Sequence, residues 1–381
     1  MSNSAKKEYL IDIRKRYFLA SKKEKSVILD ELCTVCKFNR KYAIRVLAKK
    51  QTRHSKKKGR PQIYHHQAII EFLKDLWVVT NLACAERLKA AIPLWLPYYK
   101  FHKKNSLNEN EEKLLLEISP STIKRLLKKL KPKHRKLGLS TTKPGSLIKK
   151  RVPIKLNQWD ESRPGFIEAD TVAHCGTSVS GQFVYTLNIV DIATGWTEQR
   201  ALWGKGRAGV FDAIKNIRKA LPFKILGFDC DNGGELLNYM LLEYFTNRKN
   251  PVQYTRSREY KKNDNAHIEE KNWTHVRQYL GYQRFDNFKT VDMLNELYQS
   301  QWKLYLNFFI PSFKLIEKKR AGSKIIKIFS SPLTPYQRLL ASETISLNKK
   351  KELTKIFNSL DPFVLEKKIK NKIINILKLY K

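Results

Sequence analysis

The stretch ILGFDCDNGGELLNYM (Ile225–Met240) decides how the rest of this chain is read. An apolar run ends in Asp229 and Asp231. The turn Asn232-Gly233-Gly234 follows, and then a segment with helical spacing. Carboxylates at the end of a buried strand are costly unless something pairs with them. The chain around them has 381 residues and a formal net charge of +40. That charge is uneven. Residues 1–150 hold 37 basic and 12 acidic side chains, residues 151–300 hold 20 and 18, and residues 301–381 hold 18 and 5. A nearly neutral middle between two basic ends fits a protein that binds a polyanion, because each neutralised phosphate releases counterions.

Upstream of the stretch, GFIEADTVAHC (from Gly165) reads as a strand carrying Asp170. GQFVYTLNIVDIATGW (from Gly181) reads as a longer strand ending in a turn, and TEQRALW (from Thr197) as a third. GRAGVFDAIKNIRKAL (from Gly206) has Val210, Ala213, Ile214, Ile217 and Leu221 along one helical side. Downstream, GGELLNYMLLEYFTNR is a predicted helix, VQYTRSR a fifth strand and NAHIEEKNWTHVRQYLGY an amphipathic helix. The order β-β-β-α-β-α-β-α predicts an α/β fold: a ribonuclease H-like, mixed five-stranded sheet with flanking helices.

In such a sheet, ligands gather at the carboxyl ends of strands. Asp231 falls where the fourth strand stops, Asp170 lies on the first, and Glu269 lies on the last helix. Three carboxylates from distant elements converge only if their repulsion is offset. Divalent cations do this, and hard oxygen donors select Mg²⁺ or Mn²⁺. Asp229 competes with Asp231, but the Asn-Gly turn directly follows the latter. Glu270 competes with Glu269 and would point about 100° away around the helix. Glu168 shares the strand face of Asp170, and Asp191 opens the turn after its strand. His174, His267 and His275 are read as polar packing or DNA-facing groups, and Trp273 as core.

The basic front end predicts two helix-turn-helix units. In KKEKSVILDELCTVCKFNRKYAIRVLAKK (from Lys22), Val27, Ile28, Leu32 and Val35 form one apolar face. Asn39 caps a second helix with Ala43, Ile44 and Leu47 inward. On that helix Lys41, Arg45 and Lys49 form an exposed stripe beside Arg40, suited to a major groove. In ISPSTIKRLLKKLK, Ser119 and Pro120 open a helix whose basic face holds Lys124, Arg125 and Lys128. Arg256, Arg258, Lys261 and Lys262 precede the Glu269 helix and would hold substrate phosphates. The expected division is 1–60 and 61–135 as helix-turn-helix DNA-binding units, 136–159 as linker, 160–300 as catalytic core and 301–381 as a basic C-terminal region.

Five scattered cysteines include one lone CxxC, Cys33 and Cys36, with no second ligand pair nearby. Zinc is therefore not expected. No run approaches the roughly 18 apolar residues of a membrane span, and MSNSAKKEYL is not a secretory leader. A cytoplasmic, nucleoid-associated protein is expected.

The motifs GFIEADTVAHCG, TLNIVDIATGW, DCDNGGEL and NDNAHIEEKNW resemble the DDE transposases and retroviral-type integrases, specifically the integrase core of bacterial insertion sequences. The resemblance covers about residues 160–300. It puts the acidic triad at Asp170, Asp231 and Glu269, with Ala266 where the family usually has glycine. It implies a polynucleotidyl transferase that uses two Mg²⁺ ions, with Mn²⁺ as substitute, to cut and join DNA. The implied partners are double-stranded DNA, as terminal inverted repeats and target, and further copies of the chain in a homo-oligomer on DNA. A nuclease of the same fold that cleaves without joining, and a DNA-binding regulator with an inactive core, are the competing expectations.

Overall fold

The protein is described by a computed structural model covering residues 3–48, 63–103, 107–128, 152–153, 162–258 and 266–380. Two compact units meet the chain boundary at Ile63/Tyr64. The first holds α1 (Asn3–Leu19), α2 (Lys22–Cys36) and α3 (Arg40–Ala48). Ser21 and Glu24 cap α2 reciprocally. Lys37, at φ 53°, ends it. The Asn39 carboxamide oxygen accepts the Lys41 N–H at 3.0 Å and starts α3, as expected. Ile13, Ile28, Leu29, Leu32, Cys36, Ala43 and Leu47 form the core. The expected inward residues Val27, Val35 and Ile44 are instead exposed. The buried side of α2 faces both α1 and α3, so it is rotated from the face the sequence pattern suggested.

The second unit begins with α4 (Gln67–Val79), α5 (Ala85–His102), α6 (Glu109–Glu117) and α7 (Pro120–Leu127). Ser119 accepts the Thr122 N–H at 3.2 Å, and Pro120 occupies the first turn of α7. These helices share one hydrophobic core with the sheet that follows. Their buried linchpin is Trp95, fully enclosed, with edge-on contacts to Tyr305, Phe309 and Phe363 and an indole N–H donated to the Phe309 carbonyl. The segment 61–135, drawn from sequence as a unit of its own, thus contributes helices to the same compact body as the sheet.

The sheet comprises β1 (Phe166–Ala173), β2 (Val184–Asp191), β3 (Thr197–Trp203), β4 (Gly227–Cys230) and β5 (Gln253–Arg256) in the order β3-β2-β1-β4-β5. β2 runs antiparallel to β1 and β3, whereas β4 is parallel to β1 and β5. This is the ribonuclease H-like arrangement. β2 is buried along its whole length, so helices must cover both faces. α8 (Arg207–Ala220) and α9 (Tyr239–Thr246) connect β3, β4 and β5. α10 (Ala266–Lys271) runs on through a π-helical turn (Asn272–Arg277) into α11 (Gln278–Leu280). α9 begins later than the sequence suggested: residues 231–238 form the turn region, and Asn238 caps the helix by accepting the Leu241 N–H. Gly165 sits at φ +121°, and a Cβ there would lie 2.6 Å from the Lys224 carbonyl, so no side chain fits where β1 and β4 start together.

α12 (Lys289–Leu297), a second π turn (Tyr298–Trp302) and α13 (Lys303–Phe309) lead to a two-stranded ribbon, β6 (Leu315–Ala321) and β7 (Lys324–Phe329). α14 (Pro335–Ala341), α15 (Leu347–Asn358) and α16 (Pro362–Lys378) complete the unit. Leu365, Ile369, Ile373 and Ile376 of α16 are buried, so the basic C-terminal region is also structural. No helix among the described residues is long and apolar enough to cross a membrane.

Truncating Trp95 to alanine should cost about 3–5 kcal/mol, the usual loss for a fully buried Trp. A urea melt of the full chain should show the sheet and helices losing that stability in one transition. A separate early transition of the α4–α7 helices would contradict their fusion to the sheet.

Candidate active site

Parallel pairing of β1 with β4 puts Glu168 beside Asp229 and Ala169 beside Cys230. One rung further on, Asp170, within β1 and paired with Asn188, and Asp231, just past the end of β4, therefore stand side by side. Neither is fully buried, and each has lost enough water to favour its neutral form. Burial, then the neighbouring Asp231 charge, pushes the Asp170 carboxyl up to about 7. Burial raises Asp231 as well, with the Glu235 charge adding to it. The Asp231 carboxylate accepts the Gly233 N–H at 2.9 Å, which is how the Asn-Gly turn fixes its direction.

Glu235 is a site residue that the sequence reading quoted within DNGGEL but did not single out. It is buried, accepts the Thr171 hydroxyl at 3.4 Å, and lies 3.4 Å from the Lys205 ammonium. Its charge acts on both aspartates. Asp229, the competitor of Asp231, is fully buried and accepts the Thr255 hydroxyl at 2.6 Å, which commits it to the sheet interior.

Glu168 accepts the Ile268 N–H at 3.1 Å, satisfying an orphan donor in the first turn of α10. One helical turn on, Asn272 donates to Asp170 Oδ2 at 2.7 Å. The Asn272 oxygen accepts from Asn188 at 2.9 Å, and the Asn188 oxygen accepts from Gln199 at 2.9 Å. This row of carboxamides crosses β3, β2 and the helix and ends on Asp170. Single-residue reading could not find it, because Asn188 and Gln199 look like ordinary strand positions.

Glu269 is exposed on the first turn of α10, three residues before Asn272. A spacing of three residues sets it about 60° around the helix from Asn272, which faces Asp170. Among the described residues no three His, Cys, Asp or Glu side chains cluster closely enough to hold a metal ion. The structure thus brings Asp170 and Asp231 together and sets Glu269 on the helix tied to them. Glu270 turns instead toward Lys271, at 3.8 Å.

Asp191 closes the turn after β2, accepting from Thr194 and from the Gly165 N–H, and burial lifts it to about 6. His174 is buried against Phe285, and His275 is buried beside Thr274. Burial keeps both neutral. Trp273, expected in the core, is 43% exposed, with its ring near Tyr282. The adjacent Asn272 takes the inward direction of the helix, leaving Trp273 on its flank.

Of the expected DNA contacts, Lys41, Arg45, Lys124, Arg125, Lys128 and Arg258 are exposed. Arg40 is exposed too, but its guanidinium is engaged by Asp30 and Ser26 of α2. Arg256 donates to the Val152 carbonyl at 3.1 Å and to Asn232 at 3.2 Å, so it braces the turn beside Asp231. Lys49, Lys261 and Lys262 lie outside the described residues.

The raised Asp170 gives a signed expectation. The folded protein holds a proton there that the unfolded chain, at its ordinary Asp value near 3.9, gives up first. Stability from this group is complete below about pH 4 and is lost as pH rises through about 7. Metal-free protein should melt progressively lower across that window in calorimetry. Asp170→Asn should remove the part of the decline that ends near 7, leaving the part from Asp191 that ends near 6. Asn272→Ala should weaken Mn²⁺ binding by about 10–100-fold, as loss of a ligand-orienting partner does, and should cost about 1–3 kcal/mol of stability by orphaning the buried Asn188 amide. Unchanged affinity in titration calorimetry would remove Asn272 from the site.

Comparison with known proteins adds a relative of nearly full length. No family model matches the chain. Among solved structures, the catalytic core domain of BIV integrase aligns with 15% identity over 47% of this chain and 95% of its own, at a TM-score of 0.27. The simian T-cell lymphotropic virus intasome in complex with PP2A regulatory subunit B56 gamma aligns with 12% identity over 55% of this chain and 68% of its own, at 0.30. At such scores the fold rests on the strand order above, not on these likenesses. The uncharacterized protein y4rM of Sinorhizobium fredii is 34% identical over 344 residues, spanning 89% of this chain and 96% of that protein. The chain therefore belongs to the family of y4rM.

Proposed function

We propose that this protein is a DNA strand transferase, the transposase of an insertion sequence, which cleaves and joins DNA by metal-dependent phosphoryl transfer. The observation that carries the reading is the Asp170–Asp231 pair, where β4 stops beside the middle of the parallel strand β1, with the Glu269 helix tied to it through Asn272. Two repelling hard-oxygen donors, both shifted toward the neutral form, suit a divalent cation better than any other occupant. Asp170 and Asp231, with Glu269 as third donor, would hold two Mg²⁺ ions, or Mn²⁺ in their place. Such ions, when bound, activate water or a 3′-hydroxyl and stabilise the leaving oxygen of an in-line displacement.

The chain's own residues supply the rest. Asn272 orients Asp170, and Asp231 is aimed by the Gly233 N–H. Glu168 holds the start of α10, and so the position of Glu269. Arg258, with Lys261 and Lys262, would bind phosphates entering the site. Lys41 and Arg45 on α3, with Lys124 and Arg125 on α7, its C-cap Lys128 and the sequence neighbour Lys49, would recognise the element's terminal inverted repeats. Two ends and one target meet in one event, so the working form is a homo-oligomer on nucleoid DNA in the cytoplasm.

The test uses purified full-length protein, Mg²⁺ and labelled duplexes covering the DNA on either side of its own gene. Cleavage at both ends and joining of the labelled 3′-ends to a plasmid are expected. Asp170→Asn, Asp231→Asn and Glu269→Gln should each reduce both steps to background while duplex binding persists. Full turnover in any of the three would overturn the triad. Cleavage that never leads to joining would make the protein a nuclease, and binding with neither step would make it a regulator.

A further inference from the structure

The β6–β7 ribbon is unused by the site described above. Every residue of β7 is exposed, and Ile316, Ile325 and Ile326 are more than half exposed. A two-stranded ribbon with no covered face is marginal in water. Positions 315–329 hold five basic residues and one acid, Glu317. Register separates the two faces. Lys318 is the cross-strand partner of Lys327, and Arg320 that of Ile325. Positions two apart on a strand share a face, so by register positions 318, 320, 325, 327 and 329 fall on one side, which carries Arg320, Lys327, Ile325 and Phe329. The other side holds Lys319, already neutralised by Glu317 at 3.2 Å, with Ile326, Ile328 and Lys324. The charged positions on the first side are all cationic, set beside Ile325 and Phe329, whereas those on the other side are of mixed sign.

Lysines on a free sheet edge do guard against aggregation. That role is served by charge of either sign and gives no reason for a Lys–Lys rung, because like charges directly opposite each other destabilise a ribbon. A polyanion laid along the face removes that penalty. The ribbon, about 20 Å long for six residues, fits a major groove about 12 Å wide. Ile325 among the cations suits contact with thymine methyl groups.

We infer that the β6–β7 ribbon is a DNA arm whose Lys318–Arg320–Lys327 face lies in the major groove of a duplex. The inference rests on the reading that the protein acts on DNA, but it concerns binding, not chemistry. A second copy docking on the ribbon is the competing occupant, and it is disfavoured by bringing two cationic faces together.

The experiment compares full-length protein, the triple variant Lys318→Gln/Arg320→Gln/Lys327→Gln and the control Lys319→Gln/Lys324→Gln from the other face. Circular dichroism and melting check that each variant is folded. Binding to a duplex is titrated across salt concentration. The triple variant should flatten the slope of log affinity against log salt by roughly 2 to 3, since each phosphate contact contributes about 0.9. Its affinity near 0.15 M salt should fall at least tenfold, while the control stays close to wild type. An unchanged slope in the triple variant, or an equal loss in the control, would overturn the inference. So would a wild-type dimer in sedimentation that the triple variant dissociates without any change in slope. Metal-dependent cleavage of a duplex at low salt should survive in the triple variant. If wild type never cleaves but the slope difference stands, the strand-transfer reading fails and the DNA arm does not.

Discussion

The repulsion between Asp170 and Asp231 is the constraint around which the rest of the molecule is arranged. Parallel pairing of β1 and β4 sets the two carboxyls side by side where β4 stops, and partial burial strips away much of the water that would screen them. Among the described residues the Lys205 charge relieves Asp231 only in part, and its carboxyl stays raised. Lys205 approaches Glu235, and Arg256 braces Asn232, so the nearest basic groups engage the surroundings. Carboxyls perturbed in this way cluster at functional sites, and under the proposed function a divalent ion would resolve the conflict.

Holding such a pair in place requires a rigid frame, and the frame is made of neutral amides. Gln199, Asn188 and Asn272 pass hydrogen bonds from the far side of the sheet to Asp170 without adding charge. Glu168 spends its own buried carboxylate on the first turn of α10, where the helix end is electropositive. The π turn at Asn272–Arg277 begins at the residue that touches Asp170. Such turns are rare and recur at functional sites, because they re-aim side chains along a helix.

Much of this was legible in the sequence, and what was not has specific causes. The order of strands and helices, the strand-end position of Asp231 and the caps at Asn39 and Ser119 follow from local chemistry, and the structure has them. The start of α9 was misplaced because GGELLN satisfies helical spacing while its glycines and Asn238 build a turn. Val27 and Val35 read as inward because the pattern of α2 was considered without α1. Trp273 read as core because large aromatics usually are. The amide row was invisible, since it exists only once β2, β3 and α10 are side by side. The burial of the α4–α7 helices against α13 and α16 depends on contacts across more than two hundred residues, which no local pattern carries.

That last feature has a bearing on biogenesis. The Trp95 indole finds its carbonyl partner 214 residues later, and a further aromatic neighbour, Phe363, comes later still, in α16. While the ribosome is still translating, the early helices emerge with an unfilled cavity wall, and no vectorial, segment-by-segment folding can complete them. The body closes only once residues through α16 have been made. A nascent chain stalled or cut short before α16 would present Trp95 and its neighbours to chaperones and proteases, so incomplete products are marked for removal by their own architecture.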